Sequence, residues 1–321
     1  MQKKGSKMIK VDLITGFLGS GKTTFIEEYG KWLVGKGERI AIIVNDYGAI
    51  NVDRLLLEAA LGDACHLEMV IGGDPDCHRR RLKTKLITMG MEKYDHVLIE
   101  PSGIFDVDEF FDLLYEEPLE RWYELGNVIT IVDGALGKDL SNESRYLLAS
   151  QISKAGEVVL SKADDITDTA KQDMLAYLNQ SLKLFKCNRK IEDLYIWKRG
   201  DISEADFCRL SSCSYRRGDM IKLPVSENNQ YTSAFYFHVK TPIEKLRTTI
   251  ESIFADKEVG NIYRIKGFIK DQTGHWLEVN ATKQHVTIRE ISVGQELFIV
   301  IGEHLHQDKI GSYWDEYSNE V

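Results

Sequence analysis

A glycine-rich segment near the start of the chain, GFLGSGKTT at residues 16–24, has the pattern of a phosphate-binding loop. Glycines let successive backbone N–H groups turn inward around an anion, and the helix that follows adds the positive end of its dipole. We expect Lys22 to place its ammonium group at the β- and γ-phosphates of a nucleotide, and the Thr23 hydroxyl to ligate Mg²⁺. The predicted phosphate and magnesium ligands of this loop are Gly16, Gly19, Ser20, Gly21, Lys22, Thr23 and Thr24.

Two acidic residues follow apolar runs further along the chain, Asp46 and Glu100. In an open parallel sheet the ligand lies outside the carboxyl ends of the strands, so both carboxylates are predicted to reach the magnesium ion or its waters. Gly103 can offer its N–H group to the γ-phosphate. Lys22, Asp46 and Glu100 are therefore the candidate catalytic residues, and the capping of a turn stays open as another role for Asp46.

A third apolar run ends in SKAD at residues 161–164, a variant of the Asn-Lys-x-Asp pattern. A carboxylate at Asp164 can accept hydrogen bonds from N1–H and the exocyclic amino group of guanine, neither of which adenine presents. Lys162 would lie with its stem over the base, and Ser161 stands where asparagine is usual. The segment thus favours GTP over ATP, and a surface loop of no special function stays open.

These segments lie in a region where apolar β-branched runs alternate with amphipathic stretches, which predicts a doubly wound, mainly parallel α/β domain over residues 8–222. Strands are predicted at residues 10–14, 40–44, 97–99, 128–132 and 158–160, and helices at 22–34, 80–91, 107–114, 143–153 and 169–182.

A polar stretch around residues 223–231 predicts a linker to a second, smaller domain over residues 232–303. Strands are predicted there at residues 234–240, 263–268, 275–279, 285–289 and 297–301, with one helix at 242–254. This pattern predicts an α+β domain. We expect the polar tail after Gly302 to be partly ordered at best.

Composition limits the function classes. The net charge of −9 argues against a nucleic-acid partner. Five scattered cysteines do not form a disulfide framework, and no apolar run approaches the roughly 20 residues of a membrane helix. The basic N-terminal segment lacks an apolar run, so we expect no signal peptide and a cytoplasmic protein that does not bind membranes.

Four segments, by their order and spacing, resemble the CobW/HypB/UreG family of GTPases, and the CobW-like branch most closely. They are GFLGSGKTT, VNDYG, IEPSG and SKAD. The segment IKGF at residues 265–268 and the run LFIVIG at 297–302 are similar to the C-terminal α+β domain of that branch. The resemblance covers residues 9–302. It implies a slow GTPase that uses Mg²⁺ and serves as a metallochaperone or metallocofactor insertase.

The resemblance also implies a metalloenzyme or corrinoid-protein client, and several relatives form homodimers. The family usually has a Gly-Cys-x-Cys-Cys metal motif, where this chain reads GDPDCH at residues 73–78. Asp74, Asp76 and Cys77 are candidate ligands of Zn²⁺ or another divalent metal. A loop that has lost the metal and serves as a partner surface is equally open.

Two other functions stay open from the sequence. One is a small-molecule kinase built on the same phosphate loop. The other is a regulatory module that reports the bound nucleotide to a partner without metal transfer.

Overall fold

The computed structural model describes residues 7–46, 57–58, 60–62, 65–71, 75–101, 107–221, 231–292, 294 and 296–318. Within these ranges the backbone alone is described for residues 45, 46, 71, 75–78 and 231. The chain divides into two compact units, Met1–Leu223 and Pro224–Val321. Our domain limits of 8–222 and 232–303 stay a prediction.

The first unit alternates strands and helices. Its strands are β1 (Ile9–Thr15), β2 (Ile40–Asp46), β3 (Cys65–Ile71), β4 (His96–Glu100), β5 (Tyr123–Asp133), β6 (Glu157–Ser161) and β7 (Tyr195–Ile196). Its helices are α1 (Lys22–Gly35), α2 (Pro75–Glu92), α3 (Val107–Leu114), α4 (Asn142–Lys154), α5 (Asp168–Leu184) and α6 (Glu204–Leu210). No helix in the described ranges of the chain is long and apolar enough to cross a membrane.

The seven strands form one sheet in the order β3-β2-β4-β1-β5-β6-β7, and every described pair is parallel. Strand β1 is at the centre, between β4 and β5, and the strand order reverses there. Strands covered on both faces must be apolar throughout, and β4 is buried along its whole length. The predicted α/β class is confirmed, although β3 and β7 were not predicted.

The second unit is an antiparallel sheet with one long helix. Its strands are β8 (Tyr231–Lys240), β9 (Asn261–Lys270), β10 (Trp276–Ala281), β11 (Val286–Ile291), β12 (Leu297–Glu303) and β13 (Glu316–Ser318), and its helices are α7 (Ile243–Ala255) and α8 (Gln307–Gly311). The sheet order is β11-β10-β9-β12-β8-β13. Leu246, Ile250 and Ile253 of α7 join one apolar core with the strands. The predicted α+β architecture is confirmed.

Our expectation for the tail after Gly302 is wrong. Helix α8 follows β12, and β13 pairs with β8 at the edge of the sheet. The tail is polar on average, but Ile310 and Trp314 are buried in the core of the second unit. Two apolar anchors therefore order a segment whose overall composition predicts little structure.

A fully buried carboxylate, Asp12, lies in the middle of β1. It accepts hydrogen bonds from the Asn127 backbone N–H (2.6 Å), the Asn127 side-chain amide (2.9 Å) and the Tyr29 hydroxyl (2.8 Å). Nε2 of His96 on β4 lies 2.9 Å from Asp12 Oδ2, outside hydrogen-bond geometry, so this contact is an ion pair. The other ring nitrogen, Nδ1, lies 2.9 Å from Glu38 Oε2. The cluster joins β1 to β4, α1 and β5.

The charges in this cluster depend on each other. Burial by itself lowers the pKa of His96, but the Asp12 and Glu38 carboxylates outweigh it and raise that pKa to about 9. Burial by itself raises the pKa of Asp12, but His96, Lys10 and Asn127 outweigh it and hold that pKa below its usual value. At neutral pH the pair is therefore ionic.

We predict that Asp12→Asn lowers the free energy of unfolding by about 3 kcal/mol at pH 7, because it leaves a buried imidazolium without its counter-ion. The stabilisation due to His96 is complete below its unfolded-state pKa of about 6.5 and is lost as the pH rises through its folded pKa of about 9. The difference between wild type and variant should therefore shrink between pH 7 and pH 10 in denaturant titrations. Glu117→Gln, which breaks the exposed pair with Arg121, is the control and should cost less than about 1 kcal/mol. A difference that stays constant over this pH range would contradict the ionic pair.

Candidate nucleotide-binding site

The turn between β1 and α1 places three glycines in conformations that other residues adopt only at a cost. The φ angle is 144° at Gly16, 74° at Gly19 and 95° at Gly21. At Gly16, a Cβ atom would also overlap the Ile131 carbonyl oxygen of β5. The loop therefore has both the backbone freedom and the close packing against β5 that a phosphate-binding turn requires.

Helix α1 begins directly after this turn. Its N-cap residue, Gly21, makes no side-chain cap, and the first turn has no acidic residue. The N–H groups at a helix N-terminus carry partial positive charge and need acceptors. This end of α1 is thus suited to an external anion such as a phosphate group.

The Lys22 ammonium group lies inside the loop that precedes it. Its Nζ donates to the Gly16 carbonyl oxygen at 3.0 Å and lies 3.5 Å from that of Phe17, and the residue is only 6% exposed. A phosphate oxygen is a stronger, charge-assisted acceptor than either carbonyl. The geometry thus holds a desolvated cation where a phosphate would enter.

Thr23, at the start of α1, contacts Glu100 at the end of β4. The Thr23 hydroxyl donates to Glu100 Oε1 at 2.9 Å, and Glu100 is the buried last residue of β4. Strand β2 pairs with β4 and ends at Asp46, whose side chain is outside the described residues. The structure therefore brings together two of the oxygen ligands that we predicted for magnesium.

Two hydroxyl groups at the loop are buried without a hydrogen-bond partner among the described residues. They are Oγ of Ser20 and Oγ1 of Thr15, and both residues are at most 1% exposed. A buried polar atom without a partner costs free energy, so such atoms call for an explanation. The phosphate oxygens of a nucleotide would accept hydrogen bonds here, and a hydroxyl oxygen can also ligate the nucleotide's magnesium ion. The two hydroxyl groups therefore fit a bound nucleotide.

The SKAD segment is tied to the phosphate loop by two hydrogen bonds. The Ser161 hydroxyl donates to the Ser20 carbonyl oxygen at 2.6 Å, and the Lys162 ammonium group donates to that of Gly19 at 2.7 Å. Lys162 has a left-handed backbone, with φ at 50°, and Asp164 is exposed. The two segments predicted to bind the base and the phosphates are therefore adjacent.

The comparison with protein families agrees with this geometry. The family described as "CobW/HypB/UreG, nucleotide-binding domain" matches residues 10–190, more than half of the chain. The chain belongs to this family. The match contains the phosphate loop, Glu100 and the SKAD segment.

Curated relatives within the CobW/HypB/UreG family are recognisable but distant. Zinc chaperone YeiR of Escherichia coli is 32% identical over 54% of this chain and 52% of its own length. Zinc chaperone YjiA of the same organism is 30% identical over 53% and 55%. Zinc-regulated GTPase metalloprotein activator 1 of Dictyostelium discoideum is 23% identical over 83% and 63%. The chain thus spans about half to two thirds of the length of these relatives.

Some predicted residues of this CobW/HypB/UreG site lie outside what the structure describes. They are Gly103 and Asp74 as a whole and the side chains of Asp46, Asp76 and Cys77. The backbone shows that α2 begins at Pro75, so Asp76 and Cys77 are in its first turn. Among the residues whose side chains are described, no three His, Cys, Asp or Glu residues form a group that could hold a metal ion.

Sequence reasoning missed Asp133, the last residue of β5. Its Oδ2 lies 2.7 Å from Lys162 Nζ, and Asp133 pairs in register with Ser161. The run VITIVD has the same signal that we used for Asp46 and Glu100, a carboxylate at the carboxyl end of an apolar strand. Applied to every strand, that rule would have found it.

We predict that Lys22→Ala weakens GTP binding at least about tenfold and abolishes turnover, because it removes the buried cation of the phosphate loop. Binding is measured by calorimetry, and folding is checked by circular dichroism. The matched control is Lys31→Ala on the same helix, which removes an ammonium group that pairs at the surface with Glu27. Wild-type GTP affinity in the Lys22 variant would show that the loop does not bind phosphate as predicted.

Proposed function

We propose that this chain binds GTP, hydrolyses it slowly, and couples that cycle to the transfer of a divalent metal ion or a metal-containing cofactor to a metalloprotein client. The contact between the SKAD segment and the phosphate loop is the observation that supports it most. Ser161 and Lys162 are hydrogen-bonded to two neighbouring carbonyl groups of the loop, which supports the proposal of one continuous site for base and triphosphate. A CobW/HypB/UreG family member with such a site is expected to be a GTPase.

Magnesium fits the residues at this site. Thr23 and Glu100 would hold it, directly or through water, because hydroxyl and carboxylate oxygens are the ligands that Mg²⁺ prefers. Asp46, at the end of the neighbouring strand, is the third proposed ligand. When bound, the ion supplies positive charge to the β- and γ-phosphate oxygens, and Lys22 supplies a second cation that the protein itself carries.

The guanine preference rests on Asp164. It is exposed, two residues after Lys162, so its carboxylate is available to an incoming base. Hydrogen bonds to two donors of guanine would be lost with adenine, which also places an acceptor at N1 opposite the carboxylate.

We predict that the wild type binds GTP at least tenfold more tightly than ATP, a difference of about 1.4 kcal/mol, and that Asp164→Ala removes most of this preference. Both affinities are measured by calorimetry on the same preparation. Asp173→Ala is the control, because Asp173 is an exposed carboxylate on α5 paired with Lys138. Equal affinities of the wild type for the two nucleotides would contradict the guanine assignment.

The metal part of the proposal rests on the relatives and on the start of α2. YeiR and YjiA are named zinc chaperones. In this chain Asp76 and Cys77 lie in the first turn of a helix, following Asp74. Two carboxylates with one thiolate form a harder donor set than three cysteines, so we expect weaker zinc binding and a greater tolerance of harder divalent ions.

We predict that a divalent ion beyond the nucleotide's own magnesium binds at this place, and that its affinity differs between the GTP-loaded and GDP-loaded protein. Zinc and cobalt are titrated into both forms, with Cys77→Ser and Asp76→Ala as variants. Each variant should lower the affinity by at least about tenfold. The control is Cys208→Ser, which alters an exposed thiol on α6. A metal affinity that is unchanged in both the Asp76 and Cys77 variants would contradict a metal site here and favour the alternative, a partner surface.

GTP turnover, measured with and without added zinc or cobalt, separates the alternatives. A small-molecule kinase would turn over little GTP without its acceptor, and a regulatory module would show no effect of metal on turnover. A corrinoid-protein client and a homodimer remain proposals that rest on the family resemblance, and a cytoplasmic location remains one that rests on the composition and cysteine pattern of the sequence.

A further inference from the structure

We infer that Asp133 is a positioning residue of the nucleotide site. It holds the side chain of Lys162, in the base-binding segment, against the phosphate loop. This inference rests on the proposed GTP site and goes beyond it, because Asp133 lies outside the phosphate loop and outside the SKAD segment. It would act through Lys162 and would not itself touch the nucleotide.

The Lys162 ammonium group has two partners, one at the end of β5 and one in the phosphate loop. It lies 2.7 Å from Asp133 Oδ2 at the end of β5 and donates to the Gly19 carbonyl oxygen at 2.7 Å. The Asp133 side chain is 8% exposed, whereas that of Lys162 is 33% exposed. A buried carboxylate thus fixes the ammonium end of a lysine whose side chain is one-third exposed.

The backbone of Lys162 needs such support. A left-handed φ of 50° is unfavourable for a residue with a side chain and persists where surrounding contacts determine it. The ion pair with Asp133 and the bond to Gly19 are contacts of that kind. Asp164 is two residues further on, so the same contacts set the direction in which its carboxylate is presented.

The effect of Lys162 extends to the N–H groups of the loop. In a planar trans peptide the carbonyl oxygen of one residue and the N–H of the next point in opposite directions. Holding the Gly19 oxygen therefore fixes the Ser20 N–H on the other side, where it donates to the Phe17 oxygen at 3.2 Å. Ser161 does the same for Gly21 by holding the Ser20 oxygen.

A simpler role for Asp133 is to cap the turn after β5, because its Oδ1 accepts a hydrogen bond from the Ala135 N–H at 2.9 Å. That role requires one oxygen and no charge, so asparagine fulfils it equally well. Asp133→Asn therefore separates the two roles. It keeps the turn and replaces the carboxylate oxygen facing Lys162 by an amide.

The test measures the affinities of GTP and ATP for Asp133→Asn and for the wild type. Changes in the phosphate loop affect both nucleotides and cancel in the ratio of the affinities, whereas a change in the direction of the Asp164 carboxylate weakens the hydrogen bonds that guanine alone can donate. We expect the preference for GTP to fall about tenfold in the variant. Asp133→Ser, which also retains an acceptor for the turn, is measured in parallel in case the asparagine variant does not fold.

A double-mutant cycle with Lys162→Gln tests whether Asp133 acts through the lysine. In the Lys162→Gln background, Asp133→Asn should change the ratio less than about twofold, because the shared contact is already gone. The matched control is Asp173→Asn, which breaks the exposed Asp173–Lys138 pair and should leave the ratio unchanged.

The outcomes are distinguishable. A wild type without a preference for GTP would overturn both the proposed GTP site and this inference. A wild type that prefers GTP, together with Asp133 variants that keep the full preference, would overturn this inference alone, even if their melting temperatures fell.

Discussion

Parallel pairing around β1 is the constraint on which the site depends. The pairs with β4 and β5 are parallel, so all three strands end at the same edge of the sheet. The phosphate loop follows β1 at that edge, Glu100 ends β4 and Asp133 ends β5. The carboxylate predicted to bind magnesium and the ion-pair partner of Lys162 thus lie on opposite sides of one loop. An antiparallel neighbour would place its last residue at the other edge.

The position of β1 is itself secured by a charge buried inside the sheet. An isolated carboxylate in an apolar interior would cost several kcal/mol, and Asp12 offsets that cost with three hydrogen bonds and an ion pair. Its partners come from α1, β4 and β5, which are the elements that also flank the phosphate loop. Shifting any one of them would deprive the buried carboxylate of a hydrogen bond or of its ion pair, so the cluster specifies the register in a way that apolar packing alone does not.

The sequence predicts those parts of the fold where one local pattern is sufficient. The central strands are short continuous apolar runs, and their predicted positions agree with the structure to within a few residues at most ends. Strand β3 was missed because it lies at the edge of the sheet, and His66 and Glu68 interrupt its apolar pattern. Strand β7 has only two residues and is defined by its pairing with β6 alone.

The site could be predicted in kind but not in its connections. The phosphate loop and the SKAD segment are local motifs, so both can be recognised in the sequence. The contact between them joins residues 143 positions apart, and no local pattern encodes it. This contact couples the SKAD segment physically to the backbone of the phosphate loop. Because Lys162 and Ser161 donate hydrogen bonds to the carbonyl groups of Gly19 and Ser20, the orientation of the following N–H groups depends on the SKAD segment. Under the proposed GTP site, a base bound at the SKAD segment would therefore also stabilise the backbone of the phosphate loop, and the affinities for base and phosphates would be coupled.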